Sequence, residues 1–105
     1  MLHDLEQICN EVTGVKPGRC VAFGVLNVDT GSTDIYIVAE LQDAGEEDGV
    51  LLALRRALLQ GADIAARDIR AVPDGWLVKS SSGKMSRARN AAKYRALLLE
   101  EAAGK

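Results

Sequence analysis

Six consecutive residues, Cys20-Val21-Ala22-Phe23-Gly24-Val25, are apolar on both of the alternating faces a strand presents. A strand of that kind cannot leave one side to water, so this one is expected to lie inside a sheet that is covered on both faces. Residues 19–28 form its full extent. Asp29-Thr30-Gly31 then supplies reversing-turn chemistry before a second apolar, β-branched stretch at 34–41, which reads as a hairpin. With 105 residues, the chain has the length of one domain and can bury roughly two thirds of its extended surface. Two-sided cover must therefore come from a few short helices.

Those helices are legible around the hairpin. Leu5, Ile8, Cys9 and Val12 recur at helical spacing, with Asp4 placed to cap the helix and Thr13-Gly14 to stop it. After the acidic stretch at 42–49, Glu46, Glu47 and Asp48 suit the positive end of a helix dipole. Leu51, Leu54 and Leu58 form that helix's apolar stripe, and Gly61 is expected to break it. Residues 67–72 read as a third, shorter strand ended by Pro73. Trp76-Leu77-Val78 is a short extended apolar piece, in which the lone Trp76 is expected to pack on the core. A basic helix closes the chain at 86–101, with Ala91, Tyr94 and Leu98 turned inward. The order α, β, β, α, β, loop, α describes an α+β domain: a small, mainly antiparallel sheet of about three strands packed with helices.

Charge and cysteine content narrow the function classes. Hydrophobic residues make up 48% and charged residues 27%, the balance of an ordinary globule. The longest apolar run, at 20–26, is far short of the about 20 residues a membrane helix needs, and no charged leader precedes it, so the chain reads as cytosolic. Cys9 and Cys20 are not in a metal or redox spacing, and the lone His3 has no ligand partner, so no metal site is expected. Between Gly75 and Leu99 every charge is positive: Lys79, Lys84, Arg87, Arg89, Lys93 and Arg95. Those six leave seven basic against 15 acidic residues elsewhere. A segregated basic segment points to an anionic partner, with a solvated helix face as the alternative.

Chemistry concentrates in the polar loop Lys79-Ser80-Ser81-Ser82-Gly83-Lys84. Gly83 permits a backbone conformation and a close approach that other residues resist, and the three serines add hydroxyls without bulk. A helix starting near Ser86 would place Lys84 at its N-terminal end, where anions are favoured. The phosphate loop of NTPases does not fit, because Val78 and Met85 stand where that motif needs glycine and a magnesium-binding hydroxyl. The adjacent Glu46 and Glu47 point to different sides of a helix, which suits a solvated cap better than an acid/base pair.

Gly75-Trp76-Leu77-Val78-Lys79-Ser80-Ser81-Ser82-Gly83-Lys84-Met85-Ser86-Arg87 resembles the Trp-Leu-Pro-Lys-Thr-Ser-Ser-Gly-Lys-Ile-x-Arg signature of the adenylate-forming superfamily. That superfamily includes acyl-CoA synthetases, fatty acyl-AMP ligases, peptide-synthetase adenylation domains and luciferases. Lys16 to Val25 followed by Ile35 to Glu40 resembles the strand pair of its C-terminal domain, and His3-Asp4-Leu5-Glu6 the helix that opens it. Val78 replaces the usual proline and Ser80 the common threonine, while the glycine and lysine are kept.

The resemblance implies that residues 1–105 form a single C-terminal lid domain, with Met1 placed after the hinge and the larger N-terminal adenylation domain not included. It implies that Lys84 helps a fatty or other carboxylic acid react with ATP to give acyl-AMP. Residues 79–83 would form the substrate loop, and ATP and Mg2+ would be bound mainly by the larger domain. The lid would then reorient for transfer to CoA or to the phosphopantetheine thiol of an acyl carrier protein, with Arg87, Arg89, Lys93 and Arg95 available for acceptor phosphate. Alone, the chain is expected to be inactive. The alternative is an autonomous binding module of this fold that takes a carrier protein, a regulatory partner or nucleic acid, the last being the least expected.

Overall fold

A computed structural model describes residues 2–104, so the reading of Met1 lies outside the described residues. Helix α1 spans Leu2–Asn10 and buries Leu5 and Cys9. Asp4 falls within its first turn rather than at the cap. A tightened turn, in which the Val12 amide donates to the Cys9 carbonyl at 3.1 Å, leads to Gly14 at φ +101°.

Strand β1 (Val15–Asn27) and strand β2 (Ser32–Leu41) form the expected hairpin. They pair antiparallel from Cys20↔Ala39 to Asn27↔Ser32, with the register shifting between Val15 and Cys20. Pro17, which has no amide to donate, sits in that irregular stretch. At the turn the Asn27 side-chain oxygen accepts from the Asp29 amide at 3.0 Å, and Gly31 adopts φ +73°.

Beyond β2 a 3-10 turn (Ala44–Glu46), whose cap Asp43 accepts from the Gly45 amide, feeds helix α2 (Glu47–Ala62). Glu47 and Asp48 occupy its first turn and Val50, Leu54 and Leu58 are buried. The helix passes through Gly61 instead of ending there. Asp63 takes the left-handed conformation (φ 55°), and the Ile64 amide reaches back to the Leu58 carbonyl at 3.2 Å, a Schellman-type end. Gly61 serves packing: a Cβ there would stand 3.1 Å from Ile8 Cδ1 of α1.

Strand β3 (Asp68–Val72) pairs parallel to β2, from Tyr36↔Asp68 to Glu40↔Val72. The sheet is therefore mixed, in the order β1-β2-β3, because a strand reached through a helix returns in the same direction. This places β1 at an edge and β2 in the centre, against the expectation that β1 lies inside. Side chains of α1 occupy β1's outer edge: the Ala22 amide donates to Glu6 Oε2 at 2.9 Å and the Gly18 amide to Asn10 Oδ1 at 3.2 Å. Two-sided cover does hold from Cys20 to Phe23. Cys20 and Ala22 pack into a core with α1 and α2, while Val21 and Phe23 join a second core with Val38, Leu77, Ala91 and Tyr94.

Helix α3 (Arg87–Ala103) starts at the cap Ser86, whose hydroxyl accepts from the Arg89 amide at 3.2 Å. Asn90, Ala91 and Tyr94 are its buried residues. Leu98, expected inside, is 37% exposed. The helix's buried face ends at Tyr94, and further on it is tied to β3 by the Arg70–Glu101 pair (2.6 and 3.0 Å).

Candidate functional site

The loop between β3 and α3 begins with a turn at Pro73, in which the Trp76 amide donates to the Pro73 carbonyl at 3.0 Å and Gly75 takes φ +80°. Trp76-Leu77-Val78 then runs outside the sheet with a bend at Leu77, in place of the expected short extended piece. Its backbone polar groups need partners all the same, and side chains supply them. The Leu77 amide donates to Glu40 Oε2 at 3.0 Å, and the Leu77 carbonyl accepts from Arg19 at 3.2 Å. The Val78 amide donates to Asn90 Oδ1 at 2.8 Å, and the Val78 carbonyl accepts from Asn90 Nδ2 at 3.0 Å. Lys93 Nζ donates to the Trp76 carbonyl.

Glu40 and Arg19 form a two-bond fork (3.0 and 2.7 Å) around this segment. Burial alone would push the Glu40 carboxyl up. The Arg19 guanidinium together with the Leu77 and Gly75 amides outweighs that and holds it below the usual carboxylate range.

From this stem the lysine loop projects as a small hairpin. Lys79 and Met85 form an antiparallel bridge, the Ser80 amide donates to the Lys84 carbonyl at 2.7 Å, and the Gly83 amide donates to the Ser80 carbonyl at 2.9 Å. Gly83 sits at φ +85°, in the left-handed region that glycine tolerates best. The Ser80 and Ser82 hydroxyls lie 2.8 Å apart. Ser81, Ser82, Gly83 and Lys84 are exposed at the tip. Neither Lys84 nor the exposed Lys79 forms an ion pair among the described residues.

The other cations of the basic segment divide into two groups. Arg87 is held by Glu6 in a two-bond fork (3.1 and 2.8 Å), and Lys93 lies 4.2 Å over the Trp76 ring. Trp76 in turn packs against the second core. Arg89 and Arg95 are exposed and have no ion pair among the described residues. Among the described residues, the cations of the basic segment without an ion pair thus lie on the lysine hairpin, Lys79 at its base and Lys84 at its tip, and on α3.

Sequence reading missed Glu6, Arg19, Glu40 and Asn90, the residues that hold the loop in place. A signal existed for two of them. Glu40 shares a strand face with Val38 by period-two alternation, and Asn90 adjoins Ala91 on the inward stripe of α3, so both are polar residues at core positions.

No family model matches the chain, and no curated protein matches it by sequence. Solved structures do match. McyG A-PCP complexed with phenylalanyl-adenylate superposes over 94% of this chain with a TM-score of 0.81 and 23% identity. The fold is that of the C-terminal region of adenylate-forming enzymes. Two further solved structures that share this fold are the fatty acyl-adenylate ligases from E. coli and L. pneumophila (94% of this chain, TM-score 0.73, 19% identity) and the Brucella canis acyl-CoA synthetase (91%, 0.61, 19%). The chain covers 18%, 17% and 18% of those three chains respectively, so it spans less than a fifth of each. Among the described residues no helix is long and apolar enough to cross a membrane, and no three His, Cys, Asp or Glu side chains converge on a common point.

Proposed function

We propose that this chain acts as the lid of an AMP-forming acyl ligase and that Lys84 is the cation it contributes to adenylation. The observation that carries the reading is the placement of Lys84: an exposed ammonium without an ion pair among the described residues, at the tip of a hairpin whose stem is fixed by buried side chains. A carboxylate attacking the α-phosphorus of ATP brings two anions together, forms the acyl–phosphate bond and releases pyrophosphate. A fixed ammonium between them offsets their repulsion and the charge that builds at phosphorus.

The larger adenylation domain would bind the acid and ATP. The chain's own donors at the loop, a lysine, serine hydroxyls and backbone amides, suit anionic oxygen. They form no acidic cluster for Mg2+, which would be held with ATP on the larger domain. Transfer of the acyl group to CoA or a carrier-protein thiol would follow on another face of the lid. Arg89 and Arg95 are the exposed members of the basic group available to an acceptor phosphate, since Arg87 and Lys93 are engaged internally.

The test joins this chain to an adenylation domain and measures acid-dependent pyrophosphate release. Lys84→Ala is expected to lower the rate by about 10²- to 10³-fold while the circular dichroism of the 105-residue chain stays the same. Lys84→Arg should also be poorly active, because a planar fork does not replace a point charge on a flexible stem. Unchanged adenylation by Lys84→Ala would reject the proposal.

A further inference from the structure

The lysine hairpin has few bonds of its own. Its tip is made of small polar residues and a glycine, and the backbone bonds across it are the Lys79–Met85 bridge, Ser80 to Lys84 and Gly83 to Ser80. Such a segment loses much conformational entropy on ordering and frays unless its ends are held. Both ends meet one side chain. Asn90 is 0% exposed. Its oxygen accepts from the Val78 amide at 2.8 Å, and its nitrogen donates to the Val78 carbonyl at 3.0 Å and to the Ser86 carbonyl at 2.9 Å.

Val78 immediately precedes the hairpin and Ser86 immediately follows it. A single carboxamide therefore fastens the incoming and outgoing strands to α3 at one point. Only an amide of this length offers one acceptor and two donors on adjacent atoms; Asp lacks the donors, and Leu and Ala lack all three groups. The Val78 N–H fixes which atom is oxygen, because it requires an acceptor. The Ser86 amide, donating to the Val78 carbonyl at 3.1 Å, closes the same ring of bonds.

We infer that Asn90 is a positioning residue for Lys84: it locks the lysine hairpin to α3 so that the ammonium arrives in the reacting geometry as part of a rigid body. This rests on the adenylation role proposed for Lys84. A displacement of about 1 Å at a reacting centre can cost on the order of 10²-fold in rate, so a buried residue that touches no reactant still sets the turnover number. Substrate affinity should hardly change, since acid and ATP are held elsewhere.

Two measurements separate this inference from the adenylation reading. In the first, amide hydrogen exchange is followed by NMR on the 105-residue chain with and without Asn90→Ala. Protection at Val78, Ser80, Gly83 and Ser86 is expected to fall by about tenfold or more, while Phe23 and Val38 in the sheet stay within about twofold. Unchanged protection at Ser80 and Gly83 overturns the inference. Should Asn90→Ala fail to fold, Asn90→Leu fills the same space without the polar groups and carries the same comparison. In the second, the chain joined to an adenylation domain is assayed for pyrophosphate release. There kcat should drop by about tenfold, with KM for acid and ATP within about twofold. An unaltered kcat in a variant whose hairpin exchanges fast overturns the positioning role. An unaltered rate for Lys84→Ala in that assay rejects the adenylation reading and with it the positioning role, while the exchange measurement still decides by itself whether Asn90 fastens the hairpin.

Discussion

At Glu40 a carboxylate lies 2% exposed at the end of an apolar strand, an arrangement that would be strongly unfavourable without its partners. Arg19 meets both oxygens and the Leu77 amide adds a third bond, so the charged form is the stable one. Its carboxyl is held below the ordinary glutamate range, and the sign of the pH effect follows. The stabilisation is fully present above the unfolded pKa of about 4.3 and is lost as pH falls through the lower folded value. Urea denaturation from pH 7 downward should show an acid loss of stability that Glu40→Gln lacks. At neutral pH that variant should be less stable by about 2 kcal/mol, because Arg19 keeps its charge without a counterion. Equal pH profiles for the two proteins would contradict this account. Lys84 could be singled out as a candidate from sequence because a Gly-Lys pair in a polar loop is a local signal. Arg19, Glu40 and Asn90 could not be assigned roles, because their partners lie 58, 37 and 12 positions away in the chain and only folding brings them together.

At the scale of elements, the patterns that depend on near neighbours were readable: the α1 stripe, the two apolar stretches of the hairpin around their turn residues, the Ser86 start of α3. What depended on distant packing was not. Gly61 looks like a helix stop in sequence, yet α2 continues because α1 approaches it and Asp63 makes the turn. At its edge position β1 has outer amides met by Glu6 and Asn10 reaching across from α1, a partnership that no pattern within the strand encodes. Gly14 shows the same coupling between elements. It combines φ +101° with a Cβ position only 2.5 Å from Val50 Cγ2 of α2, whereas Gly31 at φ +73° faces open space. Gly14→Ala should therefore cost about 3 kcal/mol and Gly31→Ala about 1 kcal/mol, read as the difference between midpoints in chemical denaturation. Similar costs for the two would mean that the Val50 contact is not what requires glycine at position 14.

Taken as a whole, the molecule is a three-stranded sheet with a separate core on each face, one shared with α1 and α2 and the other with α3 and the loop stem. Cys9 and Cys20 both lie in the first core, at 0% and 3% exposure. A hydrogen bond with Cys9, and then burial, hold the Cys20 thiol well above its ordinary range. Both thiols should resist a small alkylating reagent at pH about 8 in the folded chain and react together once urea unfolds it. Rapid labelling of the native protein would show that this core opens far more often than its packing indicates. At β1's outer edge, Glu6 joins α1 to the start of α3 across 81 positions of chain, and the same carboxylate also takes the Ala22 amide. The first helix, the edge strand and the base of the lysine hairpin thus share one fastening. A rotation imposed on the first helix by a neighbouring body would therefore carry the root of the lysine hairpin with it, as a handle turns the shaft it is pinned to.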